Sequence, residues 1–307
     1  MPHPVPDLYG TFADHGGLIH GRSDQTGGKN FLHKVTDYQT GSVLYFDKPL
    51  TWTSFDVVNK VRRALCKHLG TRPKNLKVGH AGTLDPMATG VLIICTGKAT
   101  KRIDELQYQT KEYVATMQLG ATTPSYDREH PIDRLFPVAH IDRPLIDQVV
   151  KRFIGTIEQE PPAYSAVKVN GDRAYKLARK GNDVTLKKKI LTIDKLEILD
   201  FTPGTVTGPT EETIVTLEKD SAPVNDTDFR HSISATEHHQ AQGFPTLTIR
   251  IVCSKGTYIR ALARDIGEAL GSGAYLTALR RTRIGDVRVE QCQQIDDFLL
   301  SVPPLSK

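Results

Sequence analysis

The run Lys77–Ile94, KVGHAGTLDPMATGVLII, constrains this chain more than any other stretch. It opens polar and glycine-rich and closes on the apolar Val91-Leu92-Ile93-Ile94. Gly82 and Gly90 permit backbone angles that a Cβ forbids. Pro86 fixes its own φ, removes a donor and steers Asp85 away from helical angles. The segment reads as a tight loop feeding a buried strand. Asp85 is its one carboxylate, at the tightest part of the loop. An Asp before Pro is ordinarily a turn residue, so spacing alone assigns it no chemistry.

On the N-terminal side, Ser42–Phe46 reads as a first strand, ended by Asp47-Lys48-Pro49. Thr53 with Asp56 three residues on predicts a capping box. Val57, Val58, Val61, Ala64, Leu65 and Leu69 then recur at helical spacing, and Gly70 suits the position after the cap. Lys60, Arg62, Arg63 and Lys67 on that helix read as a solvated face in preference to a nucleic-acid contact.

Beyond the loop, Glu112–Ala121 alternates, with Tyr113, Ala115, Met117 and Leu119 on one face, as in a half-buried strand. Residues 122–133 are turn-rich. Asp142 and Pro144 start a helix whose inner face is predicted to be Leu145, Val149 and Phe153. Residues 161–189 are the most basic part. Lys168, Arg173, Lys176, Arg179, Lys180 and Lys187–Lys189 oppose only Asp172 and Asp183, with Tyr164 and Tyr175 between them. A short helix from about Asp172, ended by Gly181, would bring Lys176, Arg179 and Lys180 together. Clustered cations with aromatics fit a phosphate-backbone footprint.

Residues 203–243 carry a net −5, so with the whole chain at +5 the rest stands at +10. This polar, acidic segment reads as an insertion with at most a short strand at Thr213–Leu217. Leu247–Ser254 alternates as a strand. Tyr258–Leu270 follows as a helix with Ile259, Leu262, Ile266 and Leu270 on one face and Gly271 as its stop. After a turn at 271–274, Leu279–Arg283 leads to a last strand at Val287–Val289, and a short helix spans Ile295–Leu300.

Hydrophobic residues make up 38% of the 307 and charged residues 24%, which supports a globular core. Residues 1–40 lack periodicity and read as a poorly ordered extension. Their histidines, His3, His15, His20 and His33, lack ligand spacing, and no metal is expected. Four cysteines without a C-x-x-C pair suggest neither zinc nor disulfides. No apolar run is long enough to span a membrane, and no leader-like N-terminus is present. A cytoplasmic location is the resulting expectation.

The string His80-Ala81-Gly82-Thr83-Leu84-Asp85-Pro86, followed by Ala88, Gly90 and Val91, closely resembles the catalytic loop of the TruB family of pseudouridine synthases. Asp47-Lys48-Pro49, Lys111-Glu112-Tyr113, the run 161–179 and the run 253–281 fit the same family, in the family's order. The resemblance spans roughly residues 42–300. It implies an α+β pseudouridine synthase fold over residues 41–302: a mixed, mainly antiparallel sheet with flanking helices and a central cleft. It implies isomerisation of the T-loop uridine of tRNA, at the position numbered 55, with no cofactor, no membrane and no obligate protein partner. A monomer is expected. The residues after Arg283 are too few for the C-terminal PUA domain that many members carry, which favours the bacterial stand-alone type.

By the same resemblance, Asp85 is the catalytic carboxylate, either adding to C1′ or assisting a glycal route. Arg260 pairs with it, and Tyr113 stacks on the base and helps move the C5 proton. Tyr258 and Leu279 line the pocket, and His80 fills the space left by the extruded nucleotide. Lys168, Arg173, Lys176, Arg179 and Lys180 hold the T-loop. Lys48 matches a motif but is left outside the catalytic set. The rival from another class is a tRNA-folding chaperone whose catalysis is incidental.

Overall fold

An unbroken apolar run needs cover on both faces, and Val91–Cys95 has it. In the structure, a computed structural model, residues 37–305 are described, except 170, 182–183 and 216–240. The expected extension therefore lies outside the described residues up to residue 36, as does the middle of the acidic insertion.

Among the described residues, nine strands form the main sheet: β1 (Val43–Lys48), β2 (Val78–His80), β3 (Ala88–Thr96), β4 (Lys111–Leu119), β5 (Gly155–Gln159), β6 (Lys189–Thr202), β7 (Thr246–Cys253), β8 (Ala274–Ile284) and β9 (Val287–Arg288). Their order is β1-β3-β8-β4-β7-β6-β5, with β2 on β3 and β9 on β8. Every pair is antiparallel except β8 with β3. Helices are α1 (Ser54–His68), α2 (Ile103–Tyr108), α3 (Arg143–Lys151), α4 (Ala174–Ala178), α5 (Ile259–Ala269) and α6 (Ile295–Ser301).

Leu92 and Ile94 of β3 pack with α1 and α6 through Val57, Val61, Leu65 and Phe298. Val91, Ile93 and Cys95 pack on the opposite side with Leu106 and Ile284. Burial on two faces explains why β3 shows no alternation. The largest core lies over β4 and β7. There Ala115, Met117 and Leu119 meet Leu247, Ile249 and Ile251, covered by Ile259, Leu262 and Ile266 of α5.

α1 starts on the predicted box: Asp56 N–H donates to Thr53 Oγ1 at 3.0 Å, and Thr53 N–H donates to Asp56 Oδ2 at 2.9 Å. Asp142 caps α3 by accepting from Leu145 N–H at 2.9 Å. The inner face of α3 is turned from the expected one. Ile146, Val149 and Val150 are buried, whereas Leu145 and Phe153 are only partly so. Asp172–Arg173 pairs with Lys168–Val169 as a hairpin, so α4 begins at Ala174 and is shorter than expected. Thr213–Ile214 pairs with Arg134–Leu135, which pairs with Ala121–Thr122, so the start of the insertion joins the turn-rich segment.

The main departure is β8. Sequence reading treats 279–283 as a lead-in, yet β8 is an 11-residue strand at the centre of the sheet, between β3 and β4. Its arginines break the hydrophobic pattern because each has a fixed partner. Arg280 forms a two-pronged pair with Asp47 (2.7 and 3.2 Å). Arg283 lies 3.7 Å from Glu112, and Arg281 binds three carbonyls of the Asp85 loop and β3.

Candidate active site

The loop 81–87 between β2 and β3 is pinned along its length. Ala81 N–H donates to Ile93 O at 2.9 Å. Arg281, only 1% exposed, donates to Val91 O at 2.8 Å and to Gly82 O and Thr83 O, each at 3.2 Å. Leu84 is clamped twice by Ser54 at the start of α1: its N–H donates to Ser54 Oγ at 2.8 Å, and that hydroxyl donates to Leu84 O at 2.9 Å. Pro86 O accepts from Thr51 N–H at 2.9 Å and from Lys48 Nζ at 3.4 Å. Gly90 has φ +106°, and a Cβ there would stand 2.2 Å from Arg281 O. Only glycine lets β8 approach the base of the loop.

Lys48 is fully buried, and its ammonium also donates to Trp52 O at 2.6 Å and Pro49 O at 2.9 Å. Burial pulls its pKa down to about 8, with the Asp85 charge opposing. Its contacts are all with backbone carbonyls, which places it as a support for the turn and the loop.

What the loop presents is Asp85. Arg260 Nε, at the start of α5, donates to Asp85 Oδ2 at 2.9 Å. The two groups differ in access: the Arg260 side chain is 5% exposed and that of Asp85 35%. Arg260 also donates to Ser125 O at 3.0 Å and Tyr164 O at 2.9 Å, and lies 3.5 Å from Asp127 Oδ2. Burial opposes its charge, but the carboxylates of Asp85, Asp127 and Glu129 outweigh burial and hold the guanidinium above its ordinary pKa. One arginine thus ties together loops 81–87, 123–129 and 161–167. The cleft over this pair is lined by Met87, Ala88, Asp127 and Leu276–Leu279.

Of the expected pocket residues, Asp85, Arg260 and Leu279 line this cleft together. Tyr113 sits beneath it on β4, 8% exposed, between Ile251 of β7 and Arg281 of β8. Burial raises its pKa, with Arg281 opposing, so it is a neutral phenol at neutral pH. Tyr258 caps α5, its N–H donating to Gln159 Oε1 at 2.9 Å. Burial and then the Asp85 charge push its phenol up. His80 ends β2 outside the cleft lining, half-buried, and burial and Arg281 lower its pKa.

Lys168, Arg173, Lys176, Arg179 and Lys180 are all exposed on the hairpin and α4. This unit hangs on the segment that supports Arg260. Tyr175 N–H donates to Ser165 O at 3.0 Å and Ala174 N–H to Val167 O at 2.7 Å, next to the Tyr164 carbonyl that Arg260 holds. The Arg179 guanidinium lies 5.4 Å from the Tyr175 ring centre.

Sequence reading missed Asp127 and Glu129. Asp127 is buried and accepts from Ser125 Oγ at 2.5 Å and Glu129 N–H at 2.9 Å. The sequence cue was three acids, Asp127, Glu129 and Asp133, in a turn-rich run. Burial raises the Asp127 pKa, with Arg260 opposing, and burial together with the Asp127 charge pushes Glu129 up to about 8. A carboxyl raised on folding stabilises below its unfolded pKa of 4.5, and that contribution is lost as pH rises towards about 8. Wild type is therefore expected to lose on the order of 4 kcal/mol relative to Glu129→Gln between about pH 4.5 and pH 8.5. Parallel urea denaturation curves across that range would contradict the assignment.

With this geometry in view, the comparisons with known proteins converge. The family model for the N-terminal domain of TruB family pseudouridylate synthase matches residues 67–212. That for the tRNA pseudouridylate synthase B C-terminal domain matches 260–302. The tRNA pseudouridine synthase B of Phocaeicola vulgatus is 55% identical over 85% of this chain and 93% of its own. The enzyme of the same name from Flavobacterium johnsoniae is 45% identical over 85% and 96%. A solved Cbf5–Nop10–Gar1 complex superposes with TM-score 0.52 at 27% identity, over 85% of this chain and 54% of that one. The fold is a pseudouridine synthase fold. The chain belongs to the TruB family of pseudouridylate synthases.

Proposed function

We propose that this protein converts the T-loop uridine of tRNA, at the position numbered 55, to pseudouridine, with Asp85 as nucleophile. The general activity, uridine isomerisation in tRNA, follows from membership of a family whose close relatives bear that name. The observation that carries the finer reading is the Asp85–Arg260 pair: a partly exposed carboxylate on a rigid loop, oriented by a buried guanidinium at 2.9 Å.

The reaction breaks N1–C1′, turns the base over and joins C5 to C1′. It needs a nucleophile for an electron-poor anomeric carbon, with neither redox chemistry nor an energy source. Asp85 Oδ2 is occupied by Arg260, while Oδ1 takes no hydrogen bond among the described residues. One oxygen is oriented and the other is left for C1′. The pinned loop means that little reorganisation accompanies attack. Leu279, Tyr258 and Tyr113 give the flipped base apolar and aromatic neighbours, and His80 occupies the gap in the stack. Flipping costs a few kcal/mol, which such contacts offset. As a neutral phenol, Tyr113 serves better in stacking than as a base for the C5 proton.

The exposed cations at Lys168, Arg173, Lys176, Arg179 and Lys180 would grip the T-loop backbone. Because their unit hangs from the segment bonded to Arg260, docking of the RNA bears directly on the catalytic pair. An isolated T-arm stem-loop is expected to be converted at its T-loop uridine alone, and the same RNA with cytidine there is expected to yield no product. Product at another uridine would contradict the assignment.

A further inference from the structure

The stripe of cations on α1 plays no part in the site described so far. Between residues 57 and 102 the chain has ten lysines and arginines and one carboxylate, Asp85, which faces the cleft. Arg62 is accounted for, because it donates to Val78 O at 3.0 Å and so supports β2. Lys60, Arg63 and Lys67 are different. They follow one another at helical spacing on the exposed face of α1, opposite the buried Val57, Val61 and Leu65. The chain turns back after α1 and adds exposed Arg72, Lys74 and Lys77 around the short 3-10 turn at 73–75. Among the described residues, none of these six has an ion-pair partner.

Like charges three and four residues apart disfavour a helix, and ordinary solvated faces intersperse both signs. This face does neither of the things that would relieve it: it pairs no cation and contains no acid beyond Asp56, which is engaged in the capping box. Its position is also specific. α1 begins at Ser54, which clamps the residue before Asp85. Phe55, 58% exposed, lies at that end, beside the loop. From there the cations run about 20 Å away from the loop, at the helical rise of about 1.5 Å per residue. An exposed aromatic leading into a one-sign track is the footprint of a sugar-phosphate backbone.

We propose that this face of α1, with the following turn, is a second RNA-docking surface that binds tRNA phosphates outside the T-arm. It is separate from the 168–180 unit that grips the T-loop, and it rests on the reading of tRNA as substrate. The surface adds affinity for the whole tRNA and takes no part in turnover of the T-arm alone.

The test measures binding of an unmodified full-length tRNA transcript and of a T-arm stem-loop across a salt series, for wild type and for K60E/R63E/K67E. For full-length tRNA the variant is expected to bind at least about tenfold more weakly, with the salt slope lowered by about 2 to 3. For the stem-loop, affinity and single-turnover rate are expected to match wild type within about twofold, which also shows that the variant is folded. An unchanged slope on full-length tRNA overturns the proposal. Equal weakening on the stem-loop overturns it too, because the contact would then lie within the T-arm. Should wild type convert neither RNA, the substrate reading fails, while the salt slopes still decide whether this face binds RNA.

Discussion

Methionine in place of Arg260 is expected to lower the unfolding free energy by about 3–5 kcal/mol and to leave no measurable turnover. The reason is the number of groups that one buried side chain serves. Its guanidinium meets Asp85, Asp127, Ser125 O and Tyr164 O at 2.9–3.5 Å. Removing it leaves the buried Asp127 without its counter-charge and two carbonyls without donors. Three loops that frame the cleft also lose their common anchor. Arg260→Lys separates charge from geometry. A lysine restores the charge but not the planar fork that spans several acceptors, so partial recovery of stability with little recovery of rate is expected. Urea unfolding and single-turnover assays on both variants check this. A stable, active Arg260→Met protein would show that the pair is incidental.

Asp85→Asn is expected to cripple the rate as well, but with almost no effect on folding. The substitution keeps the shape, and the Asp85 backbone bonds of the loop do not involve its side chain. Arg260 retains Asp127 as a partner. The single-turnover rate is expected to fall at least about 10⁴-fold, the scale associated with removal of a nucleophile, while affinity for unmodified tRNA stays within about threefold. Weakened binding in step with rate would instead mark Asp85 as a recognition residue.

Much of this was legible in the sequence because local chemistry and tertiary structure agree. The capping box at Thr53 and Asp56, the alternation from Tyr113 to Leu119 and the α5 face ending at Gly271 all form as local rules dictate. Asp85 and Arg260 lie 175 residues apart and meet at 2.9 Å, a pairing that only the family resemblance supplied. β8 was illegible for a physical reason. Pattern reading takes arginine as a surface signal, yet Arg281 is buried against two carbonyls of the loop, Gly82 O and Thr83 O, and one of β3, Val91 O. Asp127 and Glu129 stayed hidden likewise, since a turn-rich run gives no hint of burial. The α3 face was misplaced by part of a turn, because Leu145 and Ile146 are both apolar and only packing chooses between them.

In the mechanism proposed, Asp85 performs the isomerisation at the T-loop uridine. The most direct measurement is tritium release from 5-tritiated uridine in unmodified tRNA, wild type beside Asp85→Asn, with the product position mapped. Release by wild type alone is expected, with product at position 55, and tRNA bound by both proteins. Release by both would mean that another group is the nucleophile, and release by neither, with tRNA still bound, would leave a tRNA-folding chaperone as the better description.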